Sequence, residues 1–314
     1  MEFSVETFGL TKRFGSITAV DMLDLRVDSN SIHGFLGPNG AGKTTTIKIL
    51  VGLVRADSGR VRILGKDVRG DDPRVRQSVG YMPELPKFPR HLTGQELLET
   101  YGRMYGLSQS QLRKDVPRLL ETVGLTGRGK SRISGYSKGM QQRLGVAQAL
   151  LSDPELLILD EPSIGLDPVG MVEVRDLIKS IAGHGRTVLL SSHLLYEVEQ
   201  MCTHVTIMNR GVSLASGTIG EITRSLPGKT SLDIEVVNMN NSVEEAIRRM
   251  PFVSDLARKD RHLTVLLQTK DDVRSQISQS ITSNGGIIVH MVQRGNDLES
   301  VFLQLISKSE APTK

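Results

Sequence analysis

Eight consecutive residues near the N-terminus have the glycine spacing and the basic residue that binding of a polyphosphate requires. They fit the pattern G-x-x-x-x-G-K-[S/T] and are Gly37, Pro38, Asn39, Gly40, Ala41, Gly42, Lys43 and Thr44. Glycines allow the backbone to approach phosphate groups closely and to direct N–H groups towards them. We therefore expect Lys43 to contact the β- and γ-phosphates of a nucleotide. Thr44 should offer its hydroxyl to Mg²⁺, and Thr45 should belong to the same binding site.

The segments on either side of this loop are those that a nucleotide-binding loop requires. Residues 31–36 form an apolar run typical of a strand, and residues 45–53 have the composition of a helix. The N-terminal end of a helix carries a partial positive charge that attracts phosphate. A glycine-rich turn without a ligand is the alternative interpretation, and the strand–loop–helix order favours the nucleotide site over it.

A pair of acidic residues, Asp160 and Glu161, follows the apolar run Leu156–Leu159. Such a run is typical of a buried parallel strand, and ligands bind at the carboxyl ends of parallel strands. We assign Asp160 to a Mg²⁺ ion and Glu161 to the general base that polarises an attacking water. The alternative is a turn or a helix cap, because Asp-Glu-Pro-Ser also suits a turn. The phosphate-binding loop on the same chain favours the catalytic interpretation.

A second anion site is predicted at the start of a helix, where Ser137 can cap the helix and Gly139 lets a phosphate approach the backbone. The octapeptide Tyr136–Arg143 resembles the signature of the ABC (ATP-binding cassette) ATPase family, with Lys138 and Met140 as variant residues. The resemblance implies that the ligand is ATP with Mg²⁺. It also implies that two subunits pair head to tail, so that Ser137 and Gly139 of one subunit contact the ATP of the other. An ordinary helix cap is the alternative.

Four further residues occupy positions that match motifs of this family. The resemblance implies that Phe14 stacks on adenine, that Asp167 lies in the loop that sets the geometry between the two sites, and that His193 contacts the γ-phosphate. The structural alternatives are a core aromatic residue, a helix cap and a structural histidine, respectively. Glu84 departs from the family, which most often has glutamine at this position. Its carboxylate can still reach a Mg²⁺-bound water, but it adds negative charge beside the γ-phosphate.

The resemblance covers about residues 2–225 and implies an α/β fold. This fold is a P-loop NTPase (ABC ATPase) core with antiparallel β and helical subdomains. We expect the ATP-binding domain to span residues 1–225, with the helical subdomain at about residues 85–150. Thr93 and Glu96 have the spacing of a capping box and predict the start of a helix in that subdomain.

The sequence pattern changes around Leu226–Lys229, and residues 229–314 are expected to form a C-terminal accessory domain. Its strand and helix patterns predict the order β-α-β-β-α-β of a small α+β ferredoxin-like domain, if residues 252–256 form the second strand. The tail, including Asp297–Phe302, resembles the C-terminal extension of daunorubicin-resistance-type exporter ATPases. A family relative that serves copper and nitrous-oxide-reductase maturation shares these features. The resemblance to this branch of the family therefore does not identify a substrate.

Composition and charge limit where this protein can act. The 314 residues carry a net charge of only +4 and a single cysteine, Cys202, so an internal disulfide is impossible and no dedicated nucleic-acid surface is indicated. No stretch of about 18 apolar residues is present, and the N-terminus does not have the pattern of a signal peptide. We therefore expect a cytoplasmic protein that lies peripherally on the inner face of the cell membrane.

The expected partners follow from the family resemblance. A separate transmembrane permease would supply the channel, and an identical or related ATPase subunit would pair with this chain in the ATP-bound state. No nucleic acid is expected. The tail indicates export rather than import.

Two other functions are alternatives to transport. Non-transport ABC ATPases of DNA repair, chromosome maintenance or translation carry a long coiled coil between loop and signature, or two cassettes on one chain. Here the interval is too short for the coiled coil, it has no heptad run, and one cassette is present. A kinase or GTPase of the phosphate-loop class would leave the signature unexplained.

Overall fold

The computed structural model describes residues 2–68, 77–225, 230–269, 271–294 and 297–310. Positions 226–229, where the sequence pattern changes, lie outside these ranges. The chain divides into two compact units, Met1–Ile219 together with Lys308–Lys314, and Gly220–Ser307. Each unit contains its own cluster of buried apolar side chains.

The first unit contains both strands and helices. In chain order the strands are β1 (Phe3–Phe14), β2 (Ile17–Leu23), β3 (Arg26–Asp28), β4 (Ile32–Leu36), β5 (Ser58–Ile63), β6 (Lys66–Asp67), β7 (Val79–Met82), β8 (Leu156–Asp160), β9 (Thr187–Ser192), β10 (His204–Asn209) and β11 (Val212–Thr218). The helices are α1 (Lys43–Leu50), α2 (Gly94–Met104), α3 (Gln109–Thr122), α4 (Lys138–Ala149), α5 (Pro168–Gly183), α6 (Leu195–Met201) and α7 (Ile219–Ser225), which runs into the second unit. No helix among the described residues has the length and apolar character needed to cross a lipid bilayer.

Five strands of the first unit form an antiparallel sheet. Their order is β2-β1-β5-β6, and β3 also pairs with β1. Strand β1 is twelve residues long, longer than the short strands expected for this part of the sequence, because it pairs with three neighbours along its length. Phe14 pairs with Ile17 at the tip of the β1–β2 hairpin. This sheet therefore positions the residue expected to stack on adenine.

A second sheet of six strands, in the order β11-β10-β4-β9-β8-β7, carries the loop and the acidic pair. All its pairs are parallel except that of the edge strand β11. Every residue of β4, β8 and β9 is buried, as their continuous apolar runs predict. Parallel strands end at the same edge of a sheet, so the loop after β4, Asp160 at the end of β8 and Ser192 at the end of β9 lie on one side.

The predicted helix starts are confirmed by their caps. Thr93 and Glu96 form the expected capping box, in which each side chain accepts a hydrogen bond from the other residue's backbone N–H. Ser137 Oγ accepts from Met140 N at 3.2 Å and caps α4. Helix α1 begins at Lys43, two residues before its predicted start, because the last residues of the loop already adopt helical geometry.

The second unit is a four-stranded antiparallel sheet with helices. Its elements are β12 (Thr230–Val237), α8 (Asn241–Arg248), β13 (Val253–Lys259), β14 (His262–Leu267), α9 (Arg274–Ser283), β15 (Ile287–Arg294) and α10 (Leu298–Glu310). The sheet order is β13-β14-β12-β15, with all pairs antiparallel. Both the element order and the strand order are those of the ferredoxin-like fold, which confirms that prediction. The second strand covers the predicted residues from Val253 onwards and extends to Lys259.

His33 is a titratable residue buried in the parallel sheet. Its side chain is 1% exposed, Nε2 lies 2.8 Å from Thr206 Oγ1, and Nδ1 has no hydrogen-bond partner among the described residues. The His204 ring stacks on the His33 ring, with 6.3 Å between the ring centres, and His204 Nε2 lies 3.5 Å from Asp28 Oδ2. Burial, reinforced by His204, lowers the pKa of His33 to about 3.

We expect His33 to make the stability of the protein depend on pH below neutrality. Its pKa rises from about 3 in the folded protein to 6.5 when unfolded, so its stabilisation is complete above pH 6.5 and is lost as the pH falls towards 3. Between pH 7 and pH 5 this residue should remove about 2 kcal/mol from the free energy of unfolding. Urea unfolding of the wild type and of His33→Gln, which cannot titrate, measures the effect. Equal pH dependence of the two proteins would contradict it.

Candidate functional site

The phosphate-binding loop adopts a conformation that depends on its glycines. Gly42 has a φ of +107°, and a Cβ there would lie 2.3 Å from the carbonyl oxygen of Ala19. A Cβ on Gly37 would lie 2.3 Å from the carbonyl oxygen of Met208. Both distances exclude a side chain, so the spacing that the sequence pattern requires is imposed by the packing of the loop against β2 and β10.

The Lys43 side chain is folded back along the loop. Its Nζ donates to the carbonyl oxygens of Gly37 at 2.6 Å and Pro38 at 3.4 Å, and it lies 3.7 Å from Glu161 Oε1. Burial lowers the pKa of Lys43, while the carboxylates of Glu161 and Asp160 act in the opposite direction. The amine is thus a buried cation held at the loop, where an anionic ligand would stabilise its charged form.

Thr44 and Asp160 are brought together as a pair of oxygen ligands. Thr44 Oγ1 donates to Asp160 Oδ1 at 3.3 Å, and Ser191 Oγ donates to the same carboxylate oxygen at 2.6 Å. Burial raises the pKa of Asp160, and the two hydroxyl hydrogen bonds partly offset this effect. A hydroxyl and a carboxylate are the kind of ligands that Mg²⁺ uses beside phosphate oxygens and water, so these residues fit the metal.

Glu161 occupies a strained backbone position between two other predicted residues. Its φ is +50°, a value that is rare for residues other than glycine, and its N–H donates to Ser191 Oγ at 2.9 Å. Glu161 Oε2 accepts a hydrogen bond from His193 Nδ1 at 2.8 Å, while Oε1 faces Lys43. The structure therefore joins Lys43, Glu161 and His193, which are far apart in the sequence.

A cavity of about 430 Å³ lies over this group of residues. Its lining includes most of the predicted site together with two unpredicted residues, Ala19 and Ile164; the predicted members are Asn39, Gly40, Ala41, Gly42, Lys43, Thr44, Thr45, Glu84, Glu161 and His193. Glu84 therefore lies at the site despite its departure from the family. Burial, reinforced by Asp160 and Glu84, raises the pKa of Tyr81 to about 12, so this phenol stays protonated.

Ser191 is a site residue that the sequence analysis missed. Its hydroxyl accepts from Glu161 N and donates to Asp160, so it links the two acidic residues to the adjacent strand β9. The available signal was the pair of serines ending the apolar run before His193. Parallel strands that end side by side place such hydroxyls next to each other's terminal residues.

Phe14 lies at the surface rather than in the core. Its side chain is 50% exposed, and Lys12 Nζ lies 5.3 Å from the centre of its ring. Lys12 is itself held by Asp57 at 2.9 Å. A half-exposed ring with one cation on it leaves apolar surface available for stacking.

Ser137, Gly139 and Asp167 are absent from the described lining of the 430 Å³ cavity. Ser137 is exposed at the start of α4. A Cβ on Gly139 would meet no atom closer than 3.9 Å, so the fold of this chain does not require glycine there. Asp167 Oδ1 accepts from Gly170 N at 2.8 Å and caps α5, the structural alternative considered for it.

Comparisons with known proteins identify the family. Residues 20–164 match the family described as ABC transporter. The chain is 34% identical over 298 residues to the daunorubicin resistance ATP-binding protein of Streptomyces coeruleorubidus, covering 95% of this chain and 94% of that protein. It is 34% identical over 299 residues to the Nod factor export ATP-binding protein I of Cupriavidus metallidurans, covering 95% of each. A solved ATP-binding subunit of an ABC transporter has a TM-score of 0.63 at 32% identity, over 70% of this chain and 92% of that one.

A glycine-rich loop that closes around a buried lysine, with carboxylates at the ends of parallel strands, defines the class of P-loop nucleotide hydrolases. The relatives narrow this class, because they extend over nearly the whole chain. The chain belongs to the family of ABC transporter ATP-binding proteins. It is the subunit that binds and hydrolyses ATP to power an ABC transporter, which confirms the resemblance based on the signature and tail.

Proposed function

We propose that this subunit uses Glu161 as the general base for ATP hydrolysis, in a site completed by a second subunit, and drives export through a separate permease. The observation that carries the proposal is the position of the Glu161 carboxylate. One oxygen lies 3.7 Å from Lys43 Nζ and the other accepts from His193 at 2.8 Å. The two side chains expected to contact the γ-phosphate thus flank the group that would activate water.

The nucleotide would lie along the loop from Gly37 to Thr45. Backbone N–H groups of the loop and the N-terminal end of α1 would face the phosphates, and Lys43 would turn from its carbonyl partners to them. Phe14 would stack on the adenine. Its 50% exposure supports this role.

Mg²⁺ would be held by Thr44 and Asp160. Two protein oxygens suffice because Mg²⁺ in nucleotide sites takes its other ligands from phosphates and water. When bound, the metal would neutralise charge on the transferring phosphate. Glu84 would reach it through a water, and its carboxylate would make the site more negative than the usual glutamine does. Ser191 would keep Asp160 and Glu161 in place.

The second subunit would present Ser137 and Gly139 to this ATP. Both residues are open to approach, and Gly139 is a glycine that this chain's own packing does not explain. Apolar side chains beside the Asp167 loop and His193 are also exposed, namely Val169 at 68% and Tyr196 at 66%. Such side chains suit a surface that a partner covers in the ATP-bound state.

Ser137→Arg should reduce ATP turnover about a hundredfold while the single subunit still binds ATP. The bulky cation would occupy the space where the partner's phosphate approaches the start of α4. ATPase assays and equilibrium binding of a fluorescent ATP analogue measure the two effects.

The matched control for this substitution is Ser134→Arg. Ser134 is also exposed. It lies in the short segment Ile133–Gly135, whose sequence resembles the start of the signature but which does not begin the long helix α4. The control should keep wild-type turnover. Unaltered turnover of Ser137→Arg would exclude the shared site.

The permease would dock on the helical part of the first unit. A cavity of about 420 Å³ lies there, lined mainly by apolar and aromatic side chains that include Tyr81, Phe88, Tyr101 and Tyr105. Leu85 and Met104 beside it are 65% and 75% exposed. This surface includes part of the segment from Leu85 to Leu107, where we expect a cytoplasmic helix of the permease to bind.

Export is the direction that the relatives support. One relative is named for drug resistance and another for Nod factor export, and both align over 94% or more of their length. The subunit would therefore act in the cytoplasm, on the inner face of the cell membrane. We further propose that residues 1–225 form the ATP-binding domain and residues 229–314 an accessory domain. The compact unit Gly220–Ser307 supports a separate C-terminal domain, although this unit begins at Gly220 and ends at Ser307.

The alternative of a non-transport ABC ATPase predicts a different set of partners. Affinity purification of the full chain from the membrane fraction of the cells that naturally produce it should recover a membrane protein with several spanning helices. Recovery of DNA or ribosomes alone would favour the alternative over transport.

A further inference from the structure

Helix α5 contacts two other parts of the proposed site through acidic and basic residues on opposite sides. Glu173 and Arg175 are two positions apart, which at 3.6 residues per turn separates their directions by about 200°. Glu173 pairs with Arg143 of α4, and Arg175 pairs with Glu197 of α6. The helix itself begins at the Asp167 cap. It therefore lies between the helix that begins at Ser137 and the helix that follows His193.

The contact with α4 is made by Arg143. Its Nη2 lies 3.6 Å from Glu173 Oε2, and its Nη1 donates to the carbonyl oxygens of Val123 and Gly124, both at 3.3 Å. These carbonyls belong to the C-terminal end of α3, where a cation is favoured. One guanidinium thus links α4 to the end of α3 and to α5.

The contact with α6 is a buried ion pair. Glu197 Oε1 lies 3.8 Å from Arg175 Nη1, and the two side chains are only 8% and 16% exposed. The other oxygen, Glu197 Oε2, is buried and has no hydrogen-bond partner among the residues that the structure describes. Glu197 is four residues after His193, in the first turn of α6.

Stability does not explain this pair well. A buried ion pair is favourable only when its geometry is good and its remaining hydrogen bonds are satisfied, and replacement by apolar residues is often neutral or stabilising. Here the distance is long and one carboxylate oxygen lacks a partner. A pair of this kind is better explained by the relative position that it imposes on two helices.

We propose that Arg175 and Glu197 are a positioning pair that holds His193 in register with α5, and through Glu173 and Arg143 with the signature helix α4. In a head-to-tail dimer, His193 acts on the subunit's own ATP while Ser137 and Gly139 act on the partner's. The pair would then connect the two ATP sites through one subunit. This inference rests on the proposed function, because it requires the shared site.

The test is the ATP dependence of turnover by the full chain. Glu197→Gln, which keeps the shape of the side chain, should lower kcat at least about fivefold. The ATP concentration that gives half of the maximal rate should change by less than about twofold. The Hill coefficient should fall towards one, which a merely structural role would not cause. Arg175→Met should lower kcat and the Hill coefficient as much as Glu197→Gln does. The double variant should show no greater loss than either single variant, because the two residues act as a unit.

Asp176→Asn is the matched control. Asp176 lies 3.8 Å from the same arginine but is 67% exposed, so kcat and the Hill coefficient should be unchanged. Arg175→Lys, which keeps the charge, should retain most of the wild-type kcat. Unchanged kcat and Hill coefficient in Glu197→Gln, or additive losses in the double variant, would overturn the proposal. Failure of the shared site, on which this inference rests, would be seen separately, as wild-type turnover by Ser137→Arg.

Discussion

Glu161→Gln is expected to slow ATP hydrolysis about a thousandfold while leaving ATP binding intact. The amide keeps the size of the carboxylate but cannot accept a proton from water. It also removes the negative charge 3.7 Å from Lys43 Nζ, so the lysine is freer to contact phosphate. ATP should therefore remain bound. The ATP-dependent dimer should accumulate, because the hydrolysis that precedes its dissociation is blocked.

Two measurements separate these effects. Single-turnover hydrolysis gives the rate of the chemical step, and size-exclusion chromatography with ATP and Mg²⁺ gives the fraction of dimer. Glu155→Gln is a suitable control, because Glu155 immediately precedes the same strand β8 but is exposed at its opposite end. Normal hydrolysis by Glu161→Gln would exclude Glu161 as the base, and a monomer with bound ATP would argue against the shared site.

Local patterns were sufficient to predict much of this site. The glycine loop, the acidic pair and the capping residues Thr93 and Ser137 each act through neighbours in sequence, so residue type and spacing define them. The buried strands were equally clear, because a parallel strand covered on both faces is a continuous apolar run. The ferredoxin-like order of the second unit followed from the alternation of strand and helix patterns.

Contacts between distant elements could not be predicted in this way. Ser191 supports both acidic residues only because β9 lies beside β8, and that order is decided by the packing of the whole sheet. The positive φ of Glu161 is likewise invisible in the sequence, where glutamate gives no signal for a left-handed position. The Arg175–Glu197 pair depends on how two helices pack, and isolated charges on helices are usually solvated.

The same distinction applies to Lys43, because the sequence predicts its role in phosphate binding but not the residues that it contacts in the folded chain. Its ammonium group is held by the carbonyl oxygens of Gly37 and Pro38 and by Glu161. A nucleotide must therefore compete with three existing contacts. It can do so because a polyphosphate carries more negative charge than the single carboxylate, and charged hydrogen bonds to phosphate are strong.

Lys43→Ala should consequently weaken ATP binding or abolish turnover, with a combined loss in kcat/KM of at least about a thousandfold. The alanine removes the cation that would stabilise the γ-phosphate in the transition state, and it leaves Glu161 without a positive neighbour at its Oε1 atom. Isothermal titration with ATP and steady-state turnover together measure the loss. Lys48→Ala, at the last turn of the same helix α1 and outside the described lining of the cavity, is the control and should retain wild-type kcat/KM. Hydrolysis by Lys43→Ala within tenfold of the wild-type rate would contradict this prediction. It would show that the loop backbone and the metal are sufficient for catalysis and that Lys43 only stabilises the conformation of the loop.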